Sequence, residues 1–437
     1  MIRRIRDLVC VSSLILCGWM QPAFGQVTPP TEIKLEGEIR PRAEYRHGYG
    51  TLANTHQEGA FYVQQRTRLN AGIKMSDIEV YLSFQDIRVW GSQPQLVDND
   101  GALTAIHQAW GIIKLHQKWD LKFGRQEISY DDERLFGAVN WAQQARSHDA
   151  LLLRYQDSTF KAHLGLAYNQ DGIRSNTTLY TTRNNYKTMQ YLWLHKDWKN
   201  LNLSLLVLNN GVQVIPVIGN PSVNYAQTYG GRIGWKKGKL AVNGSGYYQG
   251  GVNGDTLSST MNAYQASLDV TYKVTKKLSA TGGYEMLSGN SQASANGENN
   301  AFNPYFGTNH KFNGYMDYFY VGNHIGSVGL NDGYLTAAWK EKGPKQLKLV
   351  LTGHVFYSNA DVVDARSQAM DSYLGTELDF SVGLKLTKNS KLNFGYSHLF
   401  ASDTMERLKG GDRNEVQNWA WAMITLKPSY TFKPKIK

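Results

Sequence analysis

Cysteine is nearly absent from this chain: among its 437 residues only Cys10 and Cys17 are cysteines. The rest of the chain therefore has neither a disulfide framework nor a thiolate metal site. Long apolar runs are missing too, because no run after residue 25 approaches the roughly 20 residues that a membrane-spanning helix needs. If this chain crosses a membrane, it must do so with strands.

Sequence motifs of enzymes are also scarce. The chain has no His-Glu-x-x-His motif and no strong nucleophile elbow, and its 11 histidines are dispersed. Ser147-His148-Asp149 holds the residue types of a hydrolase triad, but three adjacent side chains cannot converge on one reacting atom. We expect no enzyme, no metal site and no cofactor. A barrel hydrolase, with Asp/His pairs assembled from different strands, stays as the less favoured hypothesis.

The first 25 residues have the pattern of a secretory signal peptide. Arg3, Arg4 and Arg6 precede an apolar run from Leu8 to Met20, and Ala23-Phe24-Gly25 offers a small-residue cleavage site. Lipid attachment at Cys17 is disfavoured, because Leu16 is a poor residue for that processing. We therefore expect a signal peptide at 1–25 and a single barrel domain at 26–437.

Without that segment the chain is basic and aromatic. Three arginines and one aspartate are lost, so 44 basic residues remain against 35 acidic ones, a formal charge of +9. Aromatic residues make up 12%, which suits rings of amphipathic side chains at two membrane interfaces. Nucleic acid is not expected as a partner, since the positive charge is spread over the chain rather than gathered in one patch.

Eight short polar turns divide the chain, most of them roughly 40 residues apart. Between them lie pairs of extended segments joined by long connectors, which predicts nine hairpins or eighteen strands, with sixteen or twenty as alternatives. A β-propeller has a similar repeat, but its blades need four short strands and here each unit has two strands of about ten residues. The turns are centred near Asp77, Gln117, Asp157, Asp197, Lys237, Thr275, Gly343 and Asn389.

The first extended segment shows a strict alternation. From residue 33 to residue 46 every even position is charged, from Lys34 to Arg46, and the odd positions are mostly apolar. Because side chains of a strand alternate between its two faces, one face of this segment is charged and the other is mostly apolar. The pattern predicts an all-β transmembrane antiparallel barrel, with a wet lumen, short periplasmic turns and long extracellular loops, in the outer membrane of a Gram-negative bacterium.

The longest connector runs from about Ser288 to Asp332 and is rich in aromatic residues. We expect it to fold over the mouth of the barrel or to add a strand pair.

Arginines dominate the candidate lumen residues. Guanidinium groups stay charged and present planar forks that suit carboxylates, so a ring of them would favour anions. The alternative is that charges on facing strands pair and brace the wall. The candidates are Arg40, Arg42, Arg46, Arg66, Arg68, Arg125, Arg134, Arg146, Asp149 and Arg154.

One segment, from Leu121 to Tyr155, carries a specific motif. It reads Phe123-Gly124-Arg125-Gln126, then Asp132, Arg134-Leu135 and Gly137, then Trp141, Arg146 and Asp149-Ala150. In these residues the chain resembles the alginate export family.

That resemblance implies an eighteen-stranded barrel with an Arg-rich constriction that passes an anionic polysaccharide outward. It also implies that Arg125, Arg134, Arg146 and Asp149 belong to the pore region. The expected function is passive diffusion of an alginate-like polysaccharide or another anionic solute. The expected partners are outer-membrane lipid, that solute and a periplasmic export machinery. A general or small-solute porin is the alternative, and an adhesin is disfavoured because its scaffold needs no charged inward face.

Overall fold

The computed structural model describes residues 32–96, 104–216, 219–255, 258–294, 297–319, 323–324 and 326–433. The signal peptide expected at 1–25 lies outside them. The strands are β1 (Glu32–His47), β2 (Ala60–Lys74), β3 (Ile78–Val89), β4 (Thr104–Lys114), β5 (Trp119–Gln126), β6 (His148–Gln156), β7 (Phe160–Tyr168), β8 (Thr188–Asp197), β9 (Leu201–Val214), β10 (Ser222–Lys237), β11 (Leu240–Val252), β12 (Thr260–Tyr272), β13 (Leu278–Leu287), β14 (Glu298–Asn299), β15 (Leu330–Lys340), β16 (Lys348–Tyr357), β17 (Tyr373–Thr387), β18 (Ser390–Ala401), β19 (Gln417–Leu426) and β20 (Ser429–Phe432).

Eighteen of these strands form a closed antiparallel barrel, which confirms the predicted fold and strand count. Consecutive barrel strands pair with each other, and β13 pairs directly with β15. The ring closes on β1, where Arg46 lies opposite Ala60 of β2 and opposite Trp419 of β19. The short strand β20 continues the wall beyond β19 and pairs with the beginning of β1. Closure leaves these long strands without a free edge.

Side chains alternate across the wall as the sequence predicted. On β1, Leu35 and Ile39 are 47% and 46% exposed on the outer surface, whereas Glu38 and Arg40 face inward and are 6% and 7% exposed. An apolar outer band is stable because it faces lipid, and the closed ladder pairs the backbone N–H and C=O groups of the barrel strands with one another. None of the described helices is long and apolar enough to cross a membrane.

The two ends of the barrel differ. All eight predicted short turns join strands at one end, here called the turn end, and the long connectors lie at the other, the loop end. One of the connectors there carries a short helix, α1 (Asp403–Lys409). Ser402 caps α1 by accepting a hydrogen bond from the Met405 N–H at 3.1 Å. The helix ends at Gly410, whose φ of 67° suits glycine.

In its described part the longest connector adds no strand pair to the barrel. It contributes the two-residue strand β14, which pairs in parallel with Thr260 and Met261 of β12. Residues 301–319 fold into the barrel and include the 3-10 turn Asn309–Lys311. The expected alternative of a twentieth barrel strand is therefore wrong.

Candidate functional site: the barrel lumen

Two connectors fold inward and fill the loop half of the lumen. The first inward loop comprises residues 127–147 and the second comprises residues 301–319. They pair through their backbones, since the Gly137 N–H donates to the Phe306 carbonyl at 2.8 Å and the Thr308 N–H donates to the Glu133 carbonyl at 2.9 Å. A Cβ atom at Gly137 would lie 2.2 Å from the Thr308 hydroxyl oxygen, so glycine permits this close approach.

The first inward loop rests on arginines of β1 and β2. Four inward-facing arginines, here called the basic wall, are only 3% to 8% exposed: Arg40, Arg42, Arg66 and Arg68. Arg40 donates to the Asn140 carbonyl at 2.7 Å and to the Gln143 side-chain oxygen at 2.8 Å. Arg42 donates to the Trp141 carbonyl at 2.8 Å and lies over the Trp141 ring, 4.3 Å from its centroid. These arginines anchor the loop through its carbonyl oxygens.

Only part of the charge on the basic wall is paired. Arg66 lies 2.6 Å from Glu38, and Arg42 lies 2.8 Å from Glu44. Arg40 and Arg68 form no ion pair within 4.0 Å with any described carboxylate. Arg68 donates to Gln85 at 3.0 Å and keeps one buried guanidinium nitrogen without a partner.

Acidic side chains of β13, β15 and β17 face the second inward loop. We call Glu285, Asp332, Glu377 and Asp379 the acidic wall, and each is between 0% and 5% exposed. The Met316 N–H donates to Glu377 at 2.9 Å and the Tyr315 N–H donates to Asp379 at 3.3 Å. These carboxylates hold the loop through its amide groups.

Side-chain contacts complete the acidic wall. Arg134 of the first inward loop donates from Nε to Glu285 at 2.7 Å, and Asn313 donates to Glu285 at 2.9 Å. His354 of β16 lies 2.9 Å from Asp332. Arg134 therefore ties the first inward loop to the wall that holds the second.

Two of the predicted pore residues do not face the lumen. On β5 the residues Lys122 and Gln126 point inward, so Arg125 shares the outer face with Phe123. Its partner Asp149 is outward on β6, 2.8 Å away, and the two side chains are 43% and 60% exposed. Strand alternation sets this placement, and the expectation that Arg125 and Asp149 line the pore is wrong.

The remaining predicted arginines lie on the inner side. Arg46 is paired with Glu44 at 2.8 Å, and 31% of its side chain is exposed. Arg154 faces the lumen from β6 and donates to Asp120 at 2.6 Å. Arg146 donates to the Gly307 carbonyl at 3.1 Å and so links the two inward loops.

The acidic wall and several aromatic residues were not among the predicted site residues. Glu377 and Asp379 alternate with the apolar Leu378 and Phe380, a local signal that both acids face inward. Nothing local signals that Asp332, His354 and Glu285 meet them, since they come from three other strands.

Beneath the inward loops, toward the turn end, lies a cavity of about 330 Å³. Trp141, Tyr315 and Trp421 line it together with Lys311 and Lys348. This cavity combines ring faces with positive charge.

The triad-like tripeptide cannot act as a catalytic unit. His148 points inward and lies 3.0 Å from the Tyr186 hydroxyl, whereas Asp149 points to the outer surface. Within the part of the chain that the structure describes, no group of three or more His, Asp or Glu residues could hold a metal ion.

A family model described as "Alginate export" matches residues 31–418. The chain belongs to the alginate export family. No curated protein matches it in sequence.

Solved barrels share the fold. OccAB4 of Acinetobacter baumannii is 12% identical, with a TM-score of 0.62 over 93% of this chain and 100% of its own. OccK9 (OpdG) of Pseudomonas aeruginosa is 12% identical, with a TM-score of 0.59 over 92% of this chain and 98% of its own. OpdK of Pseudomonas aeruginosa, solved with vanillate, is 10% identical, with a TM-score of 0.57 over 91% of this chain and 99% of its own.

The family match and the barrel fold together show where this member of the alginate export family resides and what kind of protein it is. It is an outer-membrane channel protein of a Gram-negative bacterium. Its family and fold are those of porin channels and not those of enzymes.

Proposed function

We propose that this protein is a passive channel that prefers anions and carries an alginate-like polysaccharide or a smaller anionic solute across the outer membrane. One observation carries the proposal. Over the inward positions 38–46 of β1 and 66–68 of β2, five arginines stand against two glutamates: Arg40, Arg42, Arg46, Arg66 and Arg68 against Glu38 and Glu44.

The first inward loop faces part of this positive charge with backbone dipoles rather than with carboxylates. It meets Arg40 and Arg42 with carbonyl oxygens, which satisfy the guanidinium N–H groups as dipoles but carry no net charge. Charges set in low-dielectric walls focus the potential inside a channel and raise the local concentration of ions of opposite sign. The buried arginines can therefore act on a passing anion through their field without touching it.

The energy for transport is proposed to come from the solute gradient or from a periplasmic export machinery. Lipid of the outer membrane surrounds the apolar outer band. No catalytic residue is proposed. His148 points into the lumen and Asp149 points to the outer surface, so the triad-like residues 147–149 cannot act together.

A general or small-solute porin is the second candidate function. The acidic wall favours it, because four carboxylates in the same lumen as the basic wall reduce the net positive field there. Ion selectivity separates the two proposals.

The first proposal is tested by neutralising lumen arginines that do not themselves bind the inward loops. We expect the combined variant Arg46→Gln and Arg68→Gln to lower the anion-to-cation permeability ratio several-fold, measured as reversal potential in planar bilayers under a salt gradient. The matched control is Arg88→Gln with Arg125→Gln, because both arginines face outward beside aspartates at 2.7 and 2.8 Å. A wild-type channel without anion preference, or equal effects of the two double variants, would contradict the proposal.

A further inference from the structure

The cavity beneath the inward loops differs from the rest of the lumen in its chemistry. Lys348, at the start of β16, and Lys311, of the second inward loop, both line it. No aspartate or glutamate is among its described lining residues. At about 330 Å³ its volume is at the lower end of the range usual for small-ligand sites.

Its aromatic residues are not equally available. Trp141 has one ring face against His310, with centroids 4.8 Å apart and planes 11° apart, and Arg42 over the ring at 4.3 Å. Trp419 is fully buried and donates to Glu44 at 3.0 Å. Trp421 and Tyr315 are only half-buried, so ring surface remains for a ligand.

The barrel wall holds Trp421 flat. It lies opposite Gly395 on β18, and a Cβ atom at Gly395 would stand 2.1 Å from the Trp421 indole nitrogen. Because Gly395 has no side chain, the indole lies close against the wall, and Trp141 meets the ring at a steep angle of 69° with centroids 4.7 Å apart. An indole fixed in this way is a preorganised stacking platform.

Positive charge lies in the same cavity as this platform. Lys348 of β16 pairs with Gly383 on the neighbouring strand β17, and Gly383 pairs with Asn393 on the next strand, β18. All three residues line the cavity. The Lys348 ammonium forms no ion pair within 4.0 Å with a carboxylate in the described part of the chain. An incoming carboxylate would therefore meet an unpaired cation, and the Asn393 amide could donate to a ring hydroxyl.

We propose that this cavity binds one carboxylated six-membered ring, which stacks on Trp421 while its carboxylate pairs with Lys348. The inference rests on the proposed function as a channel for anions, to which it adds a binding step within the lumen. A hexuronate unit of a polysaccharide and an aromatic carboxylate share this chemistry, because each offers a flat face and a carboxylate.

A second inward-facing tryptophan provides a matched control. Trp110 on β4 stacks on Tyr81, with centroids 5.2 Å apart and planes 21° apart, and Lys122 lies 4.1 Å from its ring centroid. Trp110 thus also combines an indole with a lysine, but Tyr81 stacks on its ring, Lys122 lies over the ring, and Trp110 does not line the cavity. It should not bind a ring ligand.

The test measures ligand binding and ion selectivity on the same folded protein. Calorimetry in detergent micelles, and block of single channels, would use a hexuronate trimer, 4-hydroxybenzoate and a neutral glucose trimer as probes. We expect an acidic probe to bind, and Trp421→Ala and Lys348→Gln each to weaken it by about tenfold. Trp421→Phe should lose less, and Trp110→Phe should bind as the wild type does. Heat-modifiability on gels verifies that each variant is folded.

The probes separate the two sources of the ring. Binding of the trimer points to a polysaccharide, and binding of 4-hydroxybenzoate alone points to a small aromatic acid. Equal binding of the glucose trimer, or unchanged binding in both Trp421→Ala and Lys348→Gln, would overturn the inference. Reversal potential without any probe tests the proposed function separately, since a channel can prefer anions and yet lack this site.

Discussion

The basic wall and the acidic wall perform the same structural task with opposite chemistry. Arginines of β1 and β2 donate to the carbonyl oxygens of the first inward loop, and carboxylates of β17 accept from the amide groups of the second. Irregular backbone inside a barrel must satisfy both kinds of polar group. Charged side chains do so more strongly than neutral ones, which explains why the lumen residues are both ionic and buried.

Each wall balances only part of its charge. The basic wall keeps Arg40 and Arg68 without a carboxylate partner among the described residues, and the acidic wall keeps Glu377 without a cationic partner among them, whereas Glu285 is matched by Arg134. On both walls a charged side chain can therefore contribute to the field of the lumen, to the anchoring of a loop, or to both. Substitutions on each wall can separate these contributions.

The largest effect is expected at the link between the walls. Arg134→Ala leaves Glu285 buried beside Asn313 without its cation, which should lower the free energy of unfolding by about 3 kcal/mol. The release of both inward loops should also raise single-channel conductance. Urea unfolding in detergent and hydrogen exchange of residues 305–316 measure the two consequences.

Arg232→Ala is the control for that variant. Arg232 also reaches the first inward loop, 3.2 Å from Asp132, but both side chains are partly exposed. Its loss should cost about 1 kcal/mol or less. Similar losses for Arg134→Ala and Arg232→Ala would show that burial of the pair does not matter.

A smaller effect is expected on the basic wall. Arg40→Ala removes the donors to the Asn140 carbonyl and to Gln143, and unpaired buried acceptors should cost about 2 kcal/mol. Hydrogen exchange of residues 138–146 should accelerate, while exchange of residues 305–316 changes less. The outward Arg125→Ala serves as the comparison, and equal acceleration of 138–146 by Arg125→Ala would refute the anchoring role of Arg40.

The smallest effect concerns α1 at the loop end, outside the spanning strands. Lys409 donates to the Asn323 carbonyl at 2.7 Å, and burial lowers the pKa of Lys409 to about 7. The unfolded lysine binds its proton up to a pH of about 10.4, so docking of α1 should become more stable as the pH rises from about 7 toward that value.

Hydrogen exchange of residues 403–409, corrected for intrinsic rates, would follow this change with pH. Lys409→Met should flatten the pH dependence, and the exposed Arg407→Met should keep it. A pH slope that survives in Lys409→Met would assign it to another group.

Much of the fold was predictable from sequence because the decisive signals are local. The even-numbered charges from Lys34 to Arg46 fixed which face of β1 looks inward, and short polar turns fixed the number of strands. The same rule applied to β5 would have placed Arg125 beside Phe123 on the outer face. The family motif pointed to Arg125 as a pore residue instead, and for this residue the local alternation was the better guide.

The candidate site was only partly predictable. Alternation correctly placed Arg40 and Arg42 inward, but it could not show that they bind carbonyl groups about 100 residues later in the chain. Nor could it pair Arg134 with Glu285, which is 151 residues away. The cavity that Trp421 and Lys348 line combines residues from four barrel strands and both inward loops.

The sequence by itself determined the wall of this protein: its strands, its turns and the face that meets lipid. Strand side chains alternate with a period of two whatever lies elsewhere, so these features need no distant contact. Only the tertiary structure decided the contents of the lumen. The inward loops lie where closure of the ring brings guanidinium and carboxylate groups of distant strands within hydrogen-bonding distance of the loop backbone.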